Sequence, residues 1–200
     1  MIRSARVAQG ARCDVRVIHG LRDIRGSSQS IVAYSTHADA SLRPPFTAAT
    51  ALQKVKAAQH LWNTRDPAKV ALAYTATHEP AQPDTIWRNR DQFLKGREEI
   101  VQFLAKKWEK EDGYRLRKEL FAFTDNKIAV QFFYEWYEVK ANGSKQWYRC
   151  YGLEDWTFAE DGLMRKRQMS GNDVAITEEE RWFKDDVVDE DTVEISERHL

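Results

Sequence analysis

The chain has 200 residues, 42% of them hydrophobic, with 31 Lys+Arg set against 31 Asp+Glu. A formal charge of zero argues against a dedicated nucleic-acid binder, which needs a cationic excess for its phosphate contacts. Two cysteines, Cys13 and Cys150, without CxxC or Cys/His spacing, suggest neither a disulfide framework nor a metal site.

Residues 1–43 are Arg-rich and contain no lysine or sustained apolar period. They read as a disordered extension or an Arg-rich targeting leader. No apolar run approaches the roughly 20 residues needed to cross a bilayer, so a soluble, intracellular protein is expected. The default compartment is the cytoplasm, or the mitochondrion if the leader is a transit peptide. Pro44-Pro45 marks the start of the folded domain, expected over 44–183.

Thr47 is the expected N-cap of a first helix carrying Leu52, Val55, Gln59 and Trp62 and ending near Asn63. Asp66-Pro67 opens a second, short helix with Val70, Ala73 and Tyr74, since Asp caps and Pro suits the first helical position. A proline-bracketed loop over 77–83 follows, then a short strand over 85–89 with Trp87. Gly96 precedes a third helix striped with Ile100, Phe103, Leu104 and Trp108, with Glu98 and Glu99 at its positive end.

From Tyr114 the period changes to two, giving a strand, a turn at 124–127, a long hairpin and a last strand over 163–170. The hairpin is centred on Asn142-Gly143, read as a two-residue type I′ turn. That turn pairs Tyr137 with Tyr148, Glu135 with Cys150, Phe133 with Gly152 and Gln131 with Glu154. One face then carries Glu135, Gln131, Glu154 and Trp156. The other carries Val130, Phe132, Tyr134 and Trp136 against Arg149, Tyr151 and Leu153. Gly152 in mid-strand reads as a bulge. After a short capping helix from Thr177, the acidic segment 184–200 is expected to be flexible. Helices followed by an antiparallel meander make an α+β fold in which a curved sheet wraps its helices and leaves a pocket.

The stretches WRNRDQFLKGREEIVQFL, LRKELFAFTDNKIAVQFFYEWYE, RCYGLEDWTF and DGLMRKRQMSGNDV resemble the SnoaL-like, NTF2-like superfamily, and more narrowly its group of uncharacterised-function domains of the DUF1348 type. The resemblance covers roughly residues 46–183 and implies a cone-shaped α+β domain. Carried over from the ketosteroid isomerases of that superfamily, the general base falls on Arg88, the oxyanion tyrosine on Ala58 and the protonated acid on Glu154. With two of three parts missing, steroid-type proton shuttling is rejected and the pocket retained.

Glu154 is the first candidate catalytic residue. A carboxyl walled by Trp156, Phe133 and Met169 would have its pKa raised, as a general acid needs, whereas an ion pair with Arg167 or Arg88 would lower it and leave a clamp. Arg88 is assigned with Glu154 to the catalytic pair. Arg167, Arg149, Glu135, Trp87, Trp108, Trp156 and Met169 are assigned to substrate binding, the arginines as forks for an anionic group. The expected function is cofactor-free acid/base chemistry of the isomerase, dehydratase, cyclase or hydrolase kind on a small organic molecule, an anionic one being the case the arginines suit, with no nucleic-acid or membrane partner. The rival is a non-catalytic ligand-binding or dimerisation module. On either reading a homodimer through the exposed side of the sheet is expected.

Overall fold

A computed structural model of the chain describes residues 42–76 and 84–200. The expected leader and the proline loop over 77–83 lie outside the described residues. Among those described, no helix is long and apolar enough to cross a membrane.

Helix α1 (Ala48–Asn63) begins where Thr47 and Thr50 form a reciprocal capping box. Helix α2 (Pro67–Ala71) starts with Asp66 accepting from the Lys69 amide and Pro67 in the first turn. Strands β1 (Ile86–Asn89) and β2 (Gln92–Lys95) form a small hairpin before α3 (Gly96–Lys110). The pattern did not announce β2, a four-residue strand too short to display a period. Four long strands follow: β3 (Asp112–Phe123), β4 (Lys127–Val139), β5 (Lys145–Phe158) and β6 (Met164–Ile176). The sheet order is β2-β1-β6-β5-β4-β3, antiparallel except that β1 runs parallel to β6. This is the expected α+β arrangement. Its inner face packs Val130, Phe132, Tyr134, Trp136 and Trp156 against Val55 and Trp62 of α1 and Ile100 and Leu104 of α3.

The central hairpin is shifted by one residue from the expected register. Val139 pairs with Lys145, Glu135 with Arg149, Phe132 with Gly152 and Val130 with Glu154. The turn explains the slip. Of Asn142 and Gly143 only the glycine takes a positive φ, +79°, so a type I′ turn is not formed. Gly143 N–H donates to the Lys140 carbonyl at 2.8 Å and Lys140 N–H to the Ser144 carbonyl at 2.8 Å, the pattern of a longer loop with the glycine in the left-handed position. Because side chains alternate with period two, one residue of slip moves a whole strand's set to the other face. Glu154 and Trp156 therefore share the inner face with Phe132 and Tyr134, while Glu135, Arg149 and Tyr151 lie together on the outer face.

Gly152 forms no bulge, for pairing with β4 is continuous through it. A Cβ there would sit 2.0 Å from the Phe132 ring, so the glycine leaves room for that ring across the strand.

The C-terminal segment is a strap rather than a capping helix and a loose tail. The Glu135 carboxylate accepts the amides of Trp182 (3.0 Å) and Phe183 (3.1 Å) and pairs with Arg149 at 2.6 Å. The Arg149 guanidinium lies 3.5 Å from the centre of the Trp182 ring, and Phe183 is fully buried. Farther along, Arg115 pairs with Glu190 at 2.7 Å and Tyr151 hydroxyl meets His199 Nδ1 at 2.8 Å. Composition suggested disorder because it averages over the acids; these arginines and rings give the segment specific seats. The strap thus covers the part of the sheet side assigned to dimerisation that holds Glu135, Arg149 and Tyr151, while Leu153 on the same side stays exposed.

Two outcomes follow. Gly152→Ala forces the Phe132 ring away and lowers stability by about 1–3 kcal/mol, read as an earlier urea midpoint. Glu135→Gln breaks the buried pair, costs about 3 kcal/mol, and exposes residues 177–200 to limited proteolysis. A strap as resistant as in the wild type would contradict this seating.

Candidate functional site

Strand alternation aims four rows of side chains into the interior. Lys118, Phe132, Gly152 and Gly171 make one row; Leu116, Tyr134, Cys150 and Asp173 make the next. On the other side lie Val130, Glu154 and Met169 with Asn89 of β1, then Trp156 and Arg167 with Trp87. The curved sheet brings the ends of this surface together, so that Lys118 of β3 and Arg167 of β6 both reach Glu154 of β5.

Glu154 is the centre of the cluster. Its Oε2 accepts from Lys118 Nζ at 2.9 Å and from Trp156 Nε1 at 2.6 Å; its Oε1 accepts from Arg167 Nη2 at 2.5 Å. Arg167 also donates to Asn89 Oδ1 at 3.1 Å, and its guanidinium lies 4.8 and 4.6 Å from the ring centres of Trp62 and Trp87. Lys118 Nζ faces the rings of Phe132, Trp156 and Trp62 at 4.9, 5.3 and 5.5 Å. All three charged side chains are almost fully buried.

The ionisation of the cluster follows from this geometry. Burial on its own would raise the pKa of Glu154, but Arg167 and Lys118, by charge and by hydrogen bond, outweigh it and hold the carboxyl down to about 2. Burial is also the largest influence on Lys118. Glu154 opposes it, Arg167 adds to it, and the ammonium is brought down from 10.5 to about 8. Of the two readings left open for Glu154, the clamp is the one that the structure supports.

The expected open pocket is nearly filled. Trp62, Asn89, Lys107, Tyr114, Leu116, Lys118, Phe132, Tyr134, Glu154, Arg167 and Met169 enclose a void of about 10 Å³, room for about one water molecule. At its less buried end Lys107 Nζ meets Tyr134 hydroxyl at 3.2 Å and Glu111 at 2.5 Å. Beside them Arg90 bonds Asp173 and lies 3.2 Å from Cys150 Sγ. Burial raises the Cys150 thiol to about 12, which keeps it protonated.

Of the residues assigned from the sequence, the structure brings together Glu154, Arg167, Trp87, Trp156 and Met169, with Trp108 packed edge-on against Trp62 at 6.1 Å. Three are elsewhere. Arg88 alternates with Trp87 and Asn89, so it leaves the sheet on the outer side, where it donates to the Met169 carbonyl at 3.3 Å and Ser170 Oγ at 3.1 Å. Glu135 and Arg149 are on the outer face, engaged with the strap. Arg88 therefore cannot act with Glu154 on one molecule, and Glu135 and Arg149 do not face the interior.

Sequence reasoning missed Lys118, together with Asn89, Tyr114, Tyr134 and Lys107. For Lys118 a signal existed: in the alternating run Tyr114, Leu116, Lys118, Leu120 it is the one charge in the apolar phase.

A search of curated proteins found no significant match. Among solved structures the chain is similar to SalBIII, described as an epoxide hydrolase/cyclase-like enzyme in pyran ring formation in polyether salinomycin, at 12% identity and a TM-score of 0.51, covering 62% of this chain and 92% of that one. It is similar to AclR from Streptomyces galilaeus at 13% identity and a TM-score of 0.50, covering 63% and 91%. An NTF2-like protein of unknown function from Burkholderia pseudomallei matches at 18% identity and a TM-score of 0.48, covering 61% and 90%. At these identities the likeness is one of fold. The family described as "Protein of unknown function (DUF1348)" matches residues 44–184, most of the chain, and the protein belongs to that family, on the SnoaL-like, NTF2-like fold.

Proposed function

We propose that the protein is a small-molecule enzyme working without a cofactor, in which the interior cluster moves a proton and Lys118, not Glu154, carries it. The observation behind this reading is a buried ammonium beside a void, held by a carboxylate that it shares with Arg167. A pKa near 8 suits a general acid at neutral pH, because it couples a mostly protonated state to a weak hold on the proton. Lys118 would protonate an oxygen of the substrate, as dehydration, isomerisation or ring opening requires. Glu154, ionised at any pH above about 2, orients the ammonium, and Arg167 fixes Glu154.

One observation favours a second reading, a binding or interaction module without catalysis: the void holds no more than about one water molecule. In that case the cluster is only a piece of a closed core. Chemistry requires the end near Lys107 and Tyr134 to open, and the two readings part on whether Lys118 is needed for turnover.

The measurement is conversion of a panel of small epoxides, hydroxy acids and enones, followed by mass spectrometry for the wild type and Lys118→Met. The substitution keeps length and volume and leaves Glu154 paired with Arg167 and Trp156. Loss of at least about 100-fold in rate, and a wild-type kcat/KM that falls as the pH rises through about 8, are expected. Turnover unchanged in Lys118→Met rejects the role.

The same group predicts a stability trend. Folding lowers its pKa from 10.5 to about 8, so between those values the unfolded chain binds the extra proton and stability rises with pH. Glu154, lowered from 4.5 to about 2, stabilises above its unfolded value, and that contribution is lost as the pH falls from about 4.5 to 2. Urea midpoints across pH 3–10 check both limbs, and the alkaline rise disappears in Lys118→Met.

A further inference from the structure

The interior cluster holds more hydrogen-bond donors than acceptors and more positive charge than negative. Glu154 already receives Lys118, Arg167 and Trp156. Glu154 takes one of the three N–H groups of the Lys118 ammonium. Arg167 Nε is buried with no hydrogen-bond partner among the described residues, which costs about as much as a lost hydrogen bond.

The charges around Lys118 leave one cation over. From β5 it faces Glu154 and the protonated Cys150; from β6, Arg167; from α1, the Trp62 ring; from β4, the Phe132 ring. Lys56 of α1 donates to the Lys118 carbonyl and is itself paired with Glu119 and Asp191. Tyr74 and Tyr114 lie near Arg167 and Glu154, with pKa values raised by burial, and stay neutral. At the far end Lys107 is balanced by Glu111, and Arg90 by Asp173. Two cations against one anion remain at the sealed end.

We infer that this end of the interior is the seat of a small monoanion, the carboxylate head of an organic acid, held by Lys118 Nζ and the Arg167 guanidinium. The inference rests on the reading of the interior as a reaction site and names the class of its substrate. An incoming carboxylate supplies the acceptors that Lys118 and Arg167 Nε lack and cancels the surplus charge. It enters past Lys107, the cation at the less buried end of the void. Because the anion favours the ammonium form of Lys118, binding and protonation are linked: the anion raises the Lys118 pKa, and its affinity falls as the pH climbs from the free to the raised value.

The void has room for about one water molecule and must open to admit any head group, so the probe is the smallest carboxylate, formate. The Lys118 side-chain resonance, identified by its loss in Lys118→Met, is titrated by NMR in potassium formate and in formamide, with ionic strength held constant by potassium sulfate. Formate is expected to raise the titration midpoint from about 8 by about one pH unit in a saturable way, the mark of a roughly tenfold preference for the ammonium form, and formamide to leave it unmoved. Formate affinity should drop about tenfold in all between the free and the raised midpoint and level off above it. A midpoint that is the same in formate and formamide overturns the anion site. If Lys118 still titrates near 8 and its loss still abolishes turnover, the proton-carrier reading survives that failure. Turnover unaffected by Lys118→Met rejects the proton-carrier role whatever formate does.

Discussion

The interior of this domain depends on one carboxylate. Glu154 sits on β5 and is met from β3 by Lys118, from β6 by Arg167 and along its own strand by Trp156. In sheet order β3 and β6 are separated by two other strands, so a flat sheet could not bring Lys118 and Arg167 to the same group. Curvature does, and Gly152 supports the crossing by letting the Phe132 ring lie against its backbone, where that ring also faces the Lys118 ammonium at 4.9 Å. Neither arrangement works without the other: the ring needs the glycine, and the lysine needs a path over the ring.

The outer face repeats the device with a different purpose. Glu135 is as buried as Glu154 and also holds an arginine, but its remaining acceptors go to the amides of Trp182 and Phe183. Inside, the donors to the carboxylate are side chains and one cation is left over. Outside, two backbone amides complete the shell, and the carboxylate fastens a chain segment. The two glutamates lie on adjoining strands of one hairpin, and only register decides which faces in.

What could be read from the residues follows the range of the forces involved. Caps were legible because Thr47 and Asp66 act within one turn of chain. The long strands were legible from period alone. The hairpin's pairing was not, because Asn142-Gly143 permits two turn geometries differing by one residue, and the choice depends on strands that must bury Trp156 on the same face as Phe132 and Tyr134. Arg88 was misplaced by carrying a position over from a relative, when the alternation of Trp87, Arg88 and Asn89 already set it outward. The strap escaped notice because its acidic composition says nothing of the arginines that hold it.

Lys118 separates a structural account of the cluster from a chemical one. Arg167 alone would neutralise Glu154, and the fork geometry of a guanidinium makes it the better structural partner. Burial brings the pKa of the second cation down from 10.5 to about 8, so the interior disfavours that ammonium by about 3 kcal/mol relative to water. Well-packed apolar side chains in place of buried charges are often neutral or stabilising, and the row occupied by Lys118 has Leu116 and Leu120 beside it in the same phase. Packing therefore gives no reason for a lysine here. On the function proposed, a group that gains and loses a proton, or holds an anion, is a reason to keep a charge at that cost.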